Sequence, residues 1–211
     1  MLAPPCAVCD RPLPRPLAGA VCDACWDAAL TRLGTPADLH TPPVDWLRAV
    51  GPYDGPLRDI VHVLKYHGRE SVAARLGQAM AARGAEMFTG ADAVVPVPLH
   101  WWRQRRRGFN QAERLARQLP LPCLTLLRRH ANTAPQVDLP AEARRRNVRG
   151  AFRLATAVAW GWRAVPRVVV LVDDVATTGA TLEACAAVLK AGGAREVRAL
   201  TAARAAPGRP R

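Results

Sequence analysis

Residues Val169–Thr181 read VVLVDDVATTGAT, and this stretch decides the fold. Val168 to Val172 form an unbroken apolar run, all Val except Leu171. Such a β-branched run suits a strand buried on both faces, as in a parallel sheet. The run gives out at Asp173-Asp174, and Ala176-Thr177-Thr178-Gly179-Ala180-Thr181 follows. Small residues and a Gly let backbone N–H groups converge on an anion, and Thr hydroxyls add donors. A helix from Gly179 to Ala191, closed by Gly192-Gly193, aims its partly positive N-terminus at the same place. Two adjacent carboxylates accept hydrogen bonds from vicinal hydroxyls, as on a ribose. The residue chemistry thus predicts a ribose 5-phosphate group bound at the carboxyl end of a buried strand, where open α/β sheets place ligands. The plainer alternative is an acid pair capping a helix beside a Thr-rich turn. The loop is neither a Walker A motif nor a dinucleotide G-x-G-x-x-G.

Working outward, Trp46–Tyr53 reads as a strand. Gly55–Tyr66 reads as a helix, with Leu57, Ile60, Val61 and Leu64 at helical spacing. Ser71–Arg83 reads as a second helix with Ser71 as N-cap. Ala93–Val97 is a Val-rich strand ended by Pro98. Gln111–Leu119 is helical, Cys123–Leu127 is a further strand and Val197–Thr201 the last. Alternating strands and helices predict an α/β fold with a parallel sheet. Leu33 to Val44 is Pro-rich and reads as a linker. It divides a small N-terminal unit, residues 1–34, from a main domain, residues 45–206. Residues 130–150 lack periodicity and read as a long mobile loop, and loops of that length are usually functional or disordered.

Half of the 211 residues are apolar and 22% are charged, so a packed core is expected. No apolar run approaches the roughly 18 residues that span a bilayer, and no secretory signal is evident. The expectation is a cytoplasmic protein without membrane insertion. Net charge is +13, and the 13 Arg and three acids between Trp101 and Arg153 supply +10 of it. A localised excess points to an anionic partner, phosphate, pyrophosphate or nucleic acid. Arg-favouring codon usage and a solvated basic face are the alternative.

Cys6-x-x-Cys9 and Cys22-x-x-Cys25 are two turns that each point a pair of thiolates at one metal. Together they complete a closed four-sulfur zinc site, which stabilises a fold and leaves no position for catalysis. Two disulfides would need an oxidising compartment, and a redox pair would need a surrounding βαβ unit. Cys123 and Cys185 sit in apolar contexts and read as core thiols.

VVLVDDVATTGAT resembles the 5-phosphoribosyl-1-diphosphate (PRPP) motif of type I phosphoribosyltransferases: four apolar residues, two acids, two variable residues, then Thr-Thr-Gly-x-Thr. Nearly the whole chain resembles the ComF family. The resemblance rests on the four-Cys ribbon, LKYHGR at Leu64–Arg69, and VPVPLHWWRQRRRGFNQAERLAR at Val95–Arg117. It extends to Gln136 and the run Arg144-Arg145-Arg146-Asn147-Val148-x-Gly150-Ala151-Phe152.

The resemblance implies a type I phosphoribosyltransferase fold with an N-terminal zinc ribbon. It places Asp173 and Asp174 on the ribose hydroxyls, and Ala176, Thr177, Thr178, Gly179, Ala180 and Thr181 on the 5-phosphate. It places the pyrophosphate near Pro96-Val97-Pro98, with Arg103, Arg105, Arg106, Arg107 and Lys65 as contacts. Guanidinium forks suit that group. Arg144, Arg145, Arg146 and Asn147 fall on the mobile hood of this group. Mg²⁺ is expected between pyrophosphate and ribose, and a homodimer is a common state of the fold. The implied reaction displaces pyrophosphate from the anomeric carbon by an unidentified nitrogen nucleophile. Purine-using relatives carry an Asp where this chain has Thr177, which argues against purine transfer. Trp101-Trp102 replace residues that are often basic; they stack a base or simply pack. Two other functions compete: a non-catalytic single-stranded-DNA-binding competence factor that keeps the PRPP pocket, and a PRPP sensor.

Overall fold

The computed structural model describes residues 3–31, 33, 39–67, 70–130 and 150–205. After the first Cys turn comes helix α1 (Asp23–Thr31). Strands β1 (Leu39–Thr41) and β2 (Val44–Pro52) lead into α2 (Gly55–His67), α3 (Glu70–Arg83) and the short α4 (Ala85–Phe88). Strand β3 (Ala93–Pro96) is followed by α5 (Trp101–Arg107) and α6 (Gln111–Ala116). Strands β4 (Leu127–Arg129) and β5 (Phe152–Leu154) precede α7 (Thr156–Ala159), β6 (Val168–Ala176), α8 (Ala180–Ala191) and β7 (Glu196–Arg204). The main sheet has the order β1-β2-β7-β6-β3, and every neighbouring pair is parallel except β1 with β2. Strands β4 and β5 form a separate antiparallel ribbon.

Side chains alternate across β6, and that alternation builds two cores. Val170 and Val172 face Ile60, Leu64, Leu76 and the buried residues of the N-terminal unit, including Cys6, Cys25 and Trp26. Val169 and Leu171 face Leu126, Leu127, Phe152 and the α8 residues Leu182, Cys185 and Leu189. Cys185 is the core thiol expected, while Cys123 is only half-buried. The N-terminal unit thus shares its apolar core with α2 and α3.

Several expectations shift. The linker reading of Leu33–Val44 is corrected at its end, because Leu39–Thr41 pairs with β2. Three residues have no periodicity of their own, and the pairing is supplied by the neighbouring strand. Ser71 is not the cap of α3; the helix already begins at Glu70, whose carboxylate suits the first turn. Cys123 makes an isolated parallel bridge to Val94, and the regular strand starts only at Leu127. Strand β6 does not stop at the acid pair but runs to Ala176, because β7 continues beside it as far as Arg204. The acids tolerate the strand because their side chains take up backbone donors. Asp173 Oδ1 accepts from Asp174 N and Asp174 Oδ1 from Val175 N, both at 2.8 Å. The hood residues Arg144, Arg145, Arg146 and Asn147 lie outside the described residues.

Candidate phosphoribosyl site and cysteine cluster

The parallel strands β2, β7, β6 and β3 all end at one edge of the sheet. Pro96 pairs with Val172, and Val97 N donates to Val172 O at 2.9 Å, so the loop after β3 starts beside the acid pair. Asn110 fixes that loop from behind. Its Nδ2 donates to Val97 O at 3.0 Å, while its Oδ1 caps α6 by accepting from Ala112 N at 3.1 Å.

Adjacent strand residues face opposite ways, and the two acids obey that rule. Asp174 lies on the α2 side, where its Oδ2 sits 3.1 Å from Lys65 Nζ. Lys65 also lies over the Tyr53 ring, 5.5 Å from its centroid. Asp173 lies on the α8 side, where Arg129 and Cys185 feel its charge. Burial, and then the neighbouring Asp174, push the Asp173 carboxyl well above the usual carboxylate range.

After Ala176 the chain turns through Thr177 and Thr178 to Gly179, whose left-handed backbone (φ 79°) forms the N-cap of the 12-residue α8. The N–H groups of Thr177, Thr178 and Gly179 have no backbone acceptor among the described residues. They form an anion-ready concavity at a helix N-terminus.

The four arginines of α5 separate by face. Arg103 and Arg107, one helical turn apart, are half-buried, whereas Arg105 and Arg106 are exposed. Arg107 stacks 5.2 Å over the Tyr66 ring, next in sequence to Lys65. Trp101 and Trp102 do not pack in the core; they are 59% and 56% exposed.

Two residues that sequence reasoning missed enter here. His100 is buried and caps α5, its Nδ1 accepting from Trp102 N at 3.3 Å. Burial, then Arg129 and Arg103, hold its imidazole below the usual range. Arg129, on β4, lies 5.4 Å from the Phe152 ring centroid. The Arg128-Arg129 pair interrupting an apolar segment was the available sequence signal.

At the other end of the chain, Cys6, Cys9, Cys22 and Cys25 bring their sulfurs within 4.8 Å of one another. Cys9 and Cys22 Sγ are 3.8 Å apart. Four sulfurs bound at roughly 2.3 Å to a tetrahedral zinc stand about 3.8 Å apart, so the donor set fits that ion. Arg11 Nε donates to Cys9 Sγ at 3.4 Å and lowers that thiol to about 6, which favours the thiolate a metal needs.

Residues 165–211 match the family model for the phosphoribosyl transferase domain, a span that carries β6, the turn through Gly179, α8 and β7. The fold is therefore of phosphoribosyltransferase type. Three relatives extend the comparison to most of the chain. It is 34% identical over 219 residues to the DNA utilization protein YhgH of Escherichia coli K12, covering 92% of this chain and 93% of that one. It is 36% identical over 207 residues to the YhgH protein of Salmonella typhimurium, covering 92% and 87%. It is 34% identical over 175 residues to competence protein F of Haemophilus influenzae, covering 78% and 75%. The chain belongs to the ComF family.

Proposed function

We propose that this protein binds PRPP and transfers its phosphoribosyl group to a nitrogen acceptor, releasing pyrophosphate. The observation that carries this reading is the exit of β6: Asp173-Asp174 followed directly by a turn whose N–H groups have no backbone acceptor among the described residues, ahead of α8. The loop would hold the 5-phosphate, and the acids would take the ribose hydroxyls. Lys65, whose Nζ lies beside Asp174, and the half-buried Arg103 and Arg107 would meet the diphosphate. Arg105 and Arg106 would reach it only by a change in α5. The Arg and Lys charges would stabilise the departing pyrophosphate, and enclosure would exclude water from the electron-poor anomeric carbon.

No cluster of three or more acidic or His ligands surrounds the acid pair among the described residues. That fits a Mg²⁺ ion held largely by substrate oxygens, with Asp173 and Asp174 as its nearest carboxylates. Bound so, it would neutralise charge on the leaving group. The N-terminal unit, residues 1–34, would hold a structural zinc through its four cysteines, and residues 45–206 would form the transferase domain, working in the cytoplasm. No helix among the described residues is long and apolar enough to cross a membrane.

Incubation with PRPP, Mg²⁺ and a panel of nitrogen bases tests the reading. Pyrophosphate release with one acceptor supports it. PRPP binding with silence across the panel supports a sensor.

A second reading has its own observation. Trp101 and Trp102 stand exposed on the same short helix as the exposed Arg105 and Arg106. Aromatic faces interleaved with basic groups suit single-stranded DNA, and the names of the relatives speak of competence and DNA utilization. Such binding would weaken steeply with salt, which a lone PRPP site would not.

A further inference from the structure

We propose that Trp160 and Trp162, with Arg128, Arg153 and Arg163, form a surface that docks this protein on an anionic lipid bilayer without spanning it.

Trp160 and Trp162 are the two most exposed of the six tryptophans, at 67% and 74%. Their rings meet edge to face, with centroids 5.1 Å apart. An ordered turn holds them out. Trp160 N closes α7 by donating to Thr156 O, Gly161 takes a left-handed backbone (φ 76°), and Arg163 N donates back to Ala157 O at 3.1 Å. Two large rings left in water on a fixed turn mark a surface that something covers.

The rings run on into charge. Thr156 and Trp160 stand one turn apart on the outer face of α7, both exposed. Thr156 Oγ1 accepts from Arg128 of β4 at 3.3 Å. Arg128 lies directly opposite Arg153 across the β4–β5 ribbon, and both are exposed. Like charges so placed repel, and an anion against them relieves the repulsion. Neither these two nor Arg163 has an acidic partner among the described residues.

Composition selects the occupant. Residues 150–172 contain no acid, and apart from the indoles Thr156 is their only uncharged polar side chain. Such a face has few groups with which to read base edges or a partner's backbone. Its perpendicular rings do not offer parallel faces to successive bases. A bilayer asks for no directional reading: indoles settle at the headgroup level, and cations are drawn to anionic lipids. No helix among the described residues is long and apolar enough to cross a membrane, so the contact is peripheral. Docking also leaves the strand-end site open. Leu154 and Val165, on either side of the Trp turn, lie against Gly192 just past the last turn of α8. The turn through Gly179 stands at the other end of that helix, about 18 Å away.

Flotation of the full-length chain with lipid vesicles tests this. The wild type should float with mixed phosphatidylglycerol and phosphatidylcholine vesicles but not with phosphatidylcholine alone, and added salt should weaken the binding. Trp160→Ala/Trp162→Ala and Arg128→Gln/Arg153→Gln should melt with the wild type, and each should lose about ten-fold or more in affinity for the anionic vesicles. Trp101→Ala/Trp102→Ala should float as the wild type does, because that pair lies on α5. A wild type that does not float, flotation that ignores lipid charge, or equal flotation by both test variants and the wild type would overturn the proposal. So would oligothymidylate binding that falls in Trp160→Ala/Trp162→Ala while vesicle binding holds, because the face would then be one for nucleic acid.

Discussion

Lys65 Nζ lies 3.1 Å from Asp174 Oδ2, and both side chains are almost fully buried, at 13% and 12% exposure. The ion pair ties α2 to the end of β6. Breaking a buried pair from one side strands the other charge. Lys65→Met should cost about 3 kcal/mol in urea unfolding. The double variant Lys65→Met/Asp174→Asn should recover part of that loss, because no charge is left alone. Equal stability of the single variant and the wild type would show that Asp174 is solvated.

Asp173 is the opposite case. Burial and Asp174 favour its neutral form. A folded-state value raised above the unfolded one means that ionisation works against the fold as pH rises past the unfolded value. Asp173→Asn should therefore melt no lower than the wild type at pH 7, yet bind PRPP weakly. In the wild type, binding that needs the ionised acid should release protons and tighten with rising pH. Titrations in buffers of different ionisation enthalpy read that release.

Asp45 links β2 to the far ends of α8 and β7, accepting from Lys190 Nζ and from Val197 N, each at 2.8 Å. Burial works to raise its carboxyl, but these donors outweigh it and hold it below the usual range. The stability it contributes is present above the unfolded value near 3.9 and is lost as pH falls below that through the folded value. Asp45→Asn should cost about 1 kcal/mol at pH 7, a modest figure because the pair is partly exposed. The difference should shrink as pH falls from about 4. A pH-independent difference would contradict the linkage.

Cys6 and Cys25 belong to the same buried cluster as Leu57, Ile60 and Leu64. Loss of the metal should therefore loosen α2 and α3 as well as the ribbon. Elemental analysis should find about one zinc per chain, and chelation should lower the melting temperature. A metal-free preparation with four titratable thiols and an unchanged melting curve would remove zinc from the account.

The parts of the site that one segment builds were legible in the sequence. The Val run, the acid pair and the Gly179 turn are local, so spacing and residue type sufficed. The extension of β6 to Ala176 was not, because β7 supplies the partner edge. The opposite facing of Asp173 and Asp174 follows from strand alternation, but only once both are known to lie within the strand. Helix α5 escaped because an Arg-rich, two-turn helix has no apolar period. His100 escaped because it caps α5, a helix that the spacing does not signal.

The most direct test of the central claim is calorimetric titration of PRPP with Mg²⁺ into the wild type and into Asp173→Asn/Asp174→Asn. The account predicts saturable binding by the wild type and loss of at least about ten-fold in affinity in the variant. Equal binding by a folded variant would show that the acid pair at the end of β6 does not hold the ribose.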